Sequence, residues 1–260
     1  MIALVTRVAH AVAVAVIALF LLGPILLVLI LSFSNDRFIT FPPKSWGVRE
    51  YRTMLESSLW STPIEHSLAI ASVVAVFVAL IGSCAVVAMA RTRMPGRGLL
   101  LAVAIGPLVV PGVVYAIGAY ETFSDLGLVG SRAAFVLAHA VLATPLFLII
   151  ASAAIARVPR ELELAAMSLG AGRTRALTDV TLGLIAPALV AGAVLAFSLS
   201  LNEVVVSSFL ADASFTTLPV AIFASLRIAV DPVIMAISAT LAACAALATA
   251  VLYLLRRLTR

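Results

Sequence analysis

The 25 residues from His66 to Ala90, HSLAIASVVAVFVALIGSCAVVAMA, contain no Asp, Glu, Lys or Arg. A helix rising about 1.5 Å per residue needs about 20 such residues to cross the hydrocarbon of a bilayer. The run is continuous and does not alternate, so it reads as a membrane helix and not as a barrel strand. A helix satisfies its own backbone hydrogen bonds where no water can reach them.

Five further runs of the same kind lie outward from it: Val8 to Phe33, Leu99 to Tyr120, Ala133 to Ile155, Thr181 to Leu201 and Val233 to Leu255. Pro24, Pro107, Pro111, Pro145 and Pro187 fall inside these spans and predict kinks. The expectation is an all-α membrane protein of six transmembrane helices, one domain over residues 1–260. Composition agrees. Hydrophobic residues make up 63% of the chain and charged residues 11%, against about 25% charged in soluble domains. The first run exceeds the roughly 7–15 apolar residues of a cleaved signal core, so it reads as a retained span. Cys84 and Cys244 both fall inside apolar runs, which disfavours a disulfide framework.

The net charge of +5 is carried by basic residues scattered between apolar runs. A nucleic-acid footprint would instead gather them into a stripe. Their distribution does orient the chain. One set of loops holds eleven arginines (residues 7, 91, 93, 97, 157, 160, 173, 175, 256, 257 and 260) against Glu161, Glu163 and Asp179, a net of +8. The other holds Arg37, Lys44, Arg49, Arg52, Arg132 and Arg227 against nine acids, a net of −3. The positive-inside rule puts the first set, and both termini, in the cytoplasm. Residues 216–228 are apolar but too short to span, and read as an outer-surface helix or a segment dipping back. Rows of small residues, Ala71-Ala75-Ala79-Ser83 and Ala236-Thr240-Cys244-Ala248, mark faces where helices can pack closely.

The longest basic loop, residues 157–179, is the most informative. Pro159 suits a helix start, Glu161 and Glu163 fall in its first turn, and Gly170 and Gly172 permit a sharp turn before the next span. The pattern predicts a short helix, a glycine turn and an entering span. Within it, Ala165-Ala166, three residues, Gly170, nine residues and Val180-Thr181-Leu182-Gly183 form a spaced motif. This motif resembles the coupling loop of the inner-membrane permease subunits of binding-protein-dependent ABC importers. Leu164 stands where that family has Glu, with Glu163 one residue earlier, and Gly183 stands where it has Pro.

The resemblance implies the type I ABC importer permease fold and a bacterial-type inner membrane. It also implies a second permease subunit, a pair of ATPase subunits binding ATP and Mg, and an extracytoplasmic solute-binding protein. Arg160, Glu161, Glu163, Ala165, Ala166, Met167, Gly170 and Arg173 are the residues it places against the ATPase. The chain itself has no phosphate-cradling Gly-Lys-Ser/Thr loop; its only lysine, Lys44, follows Pro43 in an outer loop. The chain is thus expected to be no enzyme and to hold no cofactor or metal.

Within that family, Ser198 to Phe209, Thr217 to Phe223, Arg91 to Arg97 and Pro107 to Gly112 are similar to the second permease of spermidine/putrescine systems. The branch also includes permeases for aminoethylphosphonate and opines. Polar residues against the apolar background name a candidate path: Asn202 and Glu203 at the end of the fifth span, Tyr120 and Glu121 at the end of the third, and Tyr115 about a turn deeper. Carboxylates and aromatic faces suit an amine through ion pairing and cation–π contact; span-end tyrosines also serve simply as interface anchors. His139, alone in the fourth span, reads as a packed or hydrogen-bonded residue rather than a metal ligand. A self-sufficient secondary transporter would call for embedded ionisable pairs or matched broken helices. An intramembrane enzyme would call for His-Glu-x-x-His or Gly-x-Ser-x-Gly. Neither pattern is evident.

Overall fold

The computed structural model describes the backbone of Ile2–Leu258 and the side chains of residues 6–7 and 10–250. Of the arginines counted above, Arg256 and Arg257 lie outside the described side chains, and Arg260 lies outside the described residues.

In chain order the helices are α1 (Ile2–Leu31), α2 (Arg49–Glu56), α3 (Ser58–Arg91), α4 (Arg97–Ile105), α5 (Gly112–Asp125), α6 (Arg132–Ile155), α7 (Arg160–Ser168), α8 (Arg173–Arg175), α9 (Gly183–Leu201), α10 (Val205–Leu210), α11 (Leu218–Ile228) and α12 (Val233–Leu258). A 3-10 turn, Gly106–Leu108, follows α4. A π-helical stretch, Ala176–Leu182, joins α8 to α9, so that helix runs unbroken over Arg173–Leu201. Among the described residues, extended pairing is limited to one bridge between Ser34 and Trp46. The protein is all-α, and among the described residues five helices are long and apolar enough to cross a bilayer.

The third expected span differs. Residues 99–120 do not form one kinked helix: α4 with its 3-10 turn meets α5 at 107°. Two prolines four residues apart explain the break. Pro107 and Pro111 each lack a donor N–H, so the ladder loses two bonds within about one turn, and Pro111 sits at the α5 N-cap with extended ψ of 132°. A lone proline does less: Pro24, Pro145 and Pro187 lie inside α1, α6 and α9, which continue past them. Counted together, the bent pair makes a sixth span. The apolar segment 216–228 becomes α11, shorter than a span.

The chain divides into two compact units, Met1–Ser61 with Ile222–Arg260, and Thr62–Ala221. In the first, α12 packs on α1 and α2. Much of α1 points apolar side chains outward, Phe20 being 80% exposed, as a helix solvated by lipid does. The loop after α1 is organised by Asp36, whose carboxylate accepts from Thr40 Oγ1 (3.0 Å), the Lys44 amide (2.8 Å) and Ser45 Oγ (2.7 Å). The Lys44 amide and the Ser45 hydroxyl lead in holding that carboxyl down at about 2. Of the small-residue row on α12, Ala236 is buried, while Cys244 and Ala248 are exposed.

The second unit is built around α6, which packs along α9. Phe147 of α6 is fully buried. A Cβ on Gly82 of α3 would stand 2.5 Å from its Cδ1, and one on Gly192 of α9 would stand 2.7 Å from its Cδ2. Three helices therefore meet on one ring because two of them have no side chain there. Ala71, from the other small-residue row, is also fully buried.

Candidate functional site

Two polar constellations stand out in this second unit. The first surrounds α7. Pro159 precedes the helix, and Glu161 and Glu163 occupy its first turn, where carboxylates favour the exposed amides. Its end is a Schellman closure. The Gly170 amide donates to Met167 O at 3.0 Å, and the Ala171 amide donates to Ala166 O at 3.1 Å. This closure needs the left-handed conformation, and Gly170 has φ +93° with open space around it. The helix of the next span begins at Arg173 and widens into the π stretch.

No α7 residue is buried. Arg160, Glu161, Ala165, Met167, Gly170 and Arg173 are exposed, and Ala166 is half-buried. Leu162, Leu164 and Leu169 are exposed as well, Leu169 to 91%. Glu163 behaves differently from the other seven residues expected there. Its Oε1 accepts from Arg91 Nε at 2.6 Å, at the C-terminal end of α3, and from the Thr181 hydroxyl in the π stretch. Arg91 also donates to Val158 O at 3.1 Å. Partial burial pushes the Glu163 carboxyl upward, but Thr181 and Arg91 outweigh it, and the group stays below its ordinary value. The Arg91 and Thr181 partnerships could not be read from spacing, because 72 and 18 residues of chain separate them from Glu163.

The second constellation joins α5, α6, α9 and α10. Tyr115 is half-buried, and its hydroxyl donates to Ala138 O at 2.9 Å. Asn202 caps α9, donating from Nδ2 to Ser198 O at 2.8 Å. Glu203, one residue before the Val204 N-cap of α10, accepts the Val206 amide on its Oε1 at 2.9 Å and so satisfies a first-turn donor of that helix. α10 packs on α5, which brings the Glu203 charge within electrostatic reach of Tyr115. Tyr120 and Glu121 are exposed further along α5.

Behind this surface His139 is buried, its Nδ1 2.8 Å from Ser200 Oγ and its Nε2 3.0 Å from Ser207 Oγ. It fastens α6 to both α9 and α10. The serines escaped attention in the sequence. The signal was present: a lone imidazole in an apolar span must find partners, and Ser200 and Ser207 were available in the fifth span and just after it.

No protein-family model matches the chain. Individual relatives do. The chain is similar to the putrescine transport system permease protein PotI of Escherichia coli K12, 32% identical over 84% of this chain and 80% of that protein. It is also similar to the spermidine/putrescine transport system permease protein PotC of the same organism, 29% identical over 84% of this chain and 82% of that one. Among solved structures, it resembles a bacterial ABC transporter involved in import of the acidic polysaccharide alginate, with a TM-score of 0.71 at 18% identity, covering 96% and 95% of the two chains. That last likeness speaks for the fold.

Proposed function

The chain belongs to the family of ABC-importer permease subunits that includes PotI and PotC, and on that premise we propose that it carries a polyamine of the putrescine or spermidine type inward. ATP is hydrolysed on a partner subunit, which also holds the Mg. A second permease completes the path, and an extracytoplasmic binding protein delivers the solute. The chain is a single permease domain in the inner membrane, with both termini and the 157–179 loop on the cytoplasmic side.

The observation that carries the coupling part is the inverted surface of α7. A solvated helix turns apolar groups inward; here Leu164, Met167 and Leu169 face out while a carboxylate faces in. Such a surface suits a groove on another protein. Arg160, Glu161, Ala165, Ala166, Met167, Gly170 and Arg173 form that docking face, and Glu163 anchors it from behind. For the solute, Glu203 and Glu121 offer negative charge and Tyr115 and Tyr120 offer ring faces, while Asn202 contributes a neutral polar group. An amine suits the acids and the rings.

The test is purification of the chain from its native membrane with whatever subunits accompany it, followed by reconstitution in liposomes with putrescine outside. The expected result is retention of a nucleotide-binding subunit and putrescine uptake that requires ATP. A chain that purifies without any ATPase subunit would refute the coupling reading. ATP-driven transport with no amine bound by the delivery protein would refute the polyamine assignment alone.

A further inference from the structure

We propose that Glu163 is a positioning residue that yokes the loop helix to two spans at once, so that movement imposed on α7 is delivered to both α3 and α9. The inference rests on the reading that α7 docks on an ATPase subunit, and it adds how the motion enters the bundle.

Three observations carry it. One carboxylate oxygen serves two elements beside its own: Arg91 in the last turn of α3, at 2.6 Å, and Thr181 at the entry to α9. Arg91 and Glu163 side chains are only 13% and 14% exposed, and Thr181 is fully buried, so water competes weakly for these contacts. The geometry also uses both helix dipoles. A cation at the C-terminal end of α3 meets an anion in the first turn of α7, each at the end that favours its charge.

The third observation is where Thr181 lies. Residues Ala176–Leu182 form a π-helical stretch, a wide turn of the kind that often marks functional positions in helices. Glu163 and Ala166 are the half-buried residues of α7, and of the two Glu163 is the one whose side chain bonds to other elements, so it is the side chain through which a push on this helix meets firm structure. Arg91 also donates to Val158 O at 3.1 Å, just before Pro159, so the yoke holds the loop on both sides of the α7 start.

A purely structural ion pair and a yoke make different predictions. The experiment uses the whole transporter in liposomes, with putrescine as the probe and Glu163→Gln, Arg91→Gln and Thr181→Val as variants. It reads three quantities: ATPase subunit retained on purification, ATP hydrolysed, and putrescine taken up per ATP. The yoke predicts that the ATPase subunit stays bound and hydrolysis continues, while putrescine per ATP falls about fivefold or more in Glu163→Gln, the scale of an ordinary coupling energy.

Thr181→Val, which keeps the shape and removes one arm, is expected to fall in the same direction, and it decides the matter should Glu163→Gln not be recovered as a folded subunit. Unchanged putrescine per ATP would overturn the proposal. So would loss of the ATPase subunit from a Glu163→Gln chain still bound to its companion permease, which would put Glu163 in the docking face itself. If the unaltered chain bound no ATPase subunit, the docking reading would fail first and visibly apart from this one.

Discussion

The loop end around α7 and the α9–α10 turn around Glu203 each place a glutamate near a helix start, and they use it in opposite ways. Glu163 reaches away from its helix to a guanidinium and a hydroxyl on other elements. Glu203 stays local and accepts the Val206 amide three residues on. A carboxylate bound to distant side chains transmits displacement, whereas one bound to its own backbone stabilises a turn and keeps a second oxygen for other partners.

Breaking what both ends share should have the largest effect. Phe147→Ala would open a cavity where α3, α6 and α9 meet, costing about 3–5 kcal/mol. Thermal unfolding of the purified subunit is expected to drop sharply, with both ends weakened together. An unchanged melting temperature would mean the ring does not hold the three helices.

Next in size is a change confined to the α9–α10 end. His139→Ala leaves the buried hydroxyls of Ser200 and Ser207 without their shared partner, at about 1–3 kcal/mol each. The α9–α10 turn should become more open to amide exchange, while ATPase binding at α7 persists. Equal loss at both ends would mean that the two ends are not held independently.

At the loop end, Gly170→Ala forces a side chain into the left-handed region, at about 1–2 kcal/mol. The space there is open, so the effect is one of backbone conformation. The expected result is weaker ATPase retention with an unchanged fold by circular dichroism. Gly172, which has an extended conformation with negative φ, should tolerate alanine far better, and the pair of variants sharpens the assignment.

A smaller effect comes from pH. The Glu163 carboxyl lies below its ordinary value of 4.5 in the folded chain. A depressed carboxyl contributes stability that is present above the unfolded value and lost as pH falls through the lower folded one. Stability of the purified subunit should therefore hold down to about pH 4.5 and acquire an acid-sensitive component below it, which Glu163→Gln removes. The same component persisting in that variant would assign it to another group, such as Asp212, also held low, first by the Ser214 hydroxyl.

Much of this was legible beforehand in particular residues. Uninterrupted apolar runs marked the helices, because burial in lipid imposes length and composition directly on the chain. Pro159 and the Gly170 turn announced α7 and its end, because caps and left-handed turns are local demands. The 107° break between α4 and α5 was foreshadowed by Pro107 and Pro111, but its size depends on what the two halves pack against.

Tertiary structure alone decided which polar groups meet. Nothing local says that Arg91 will take Glu163, that His139 will take two serines, or that Gly82 and Gly192 will face the same ring. Those choices belong to the packing of distant segments, since a hydrogen bond or a ring contact acts over a few ångströms in space whatever the separation along the chain.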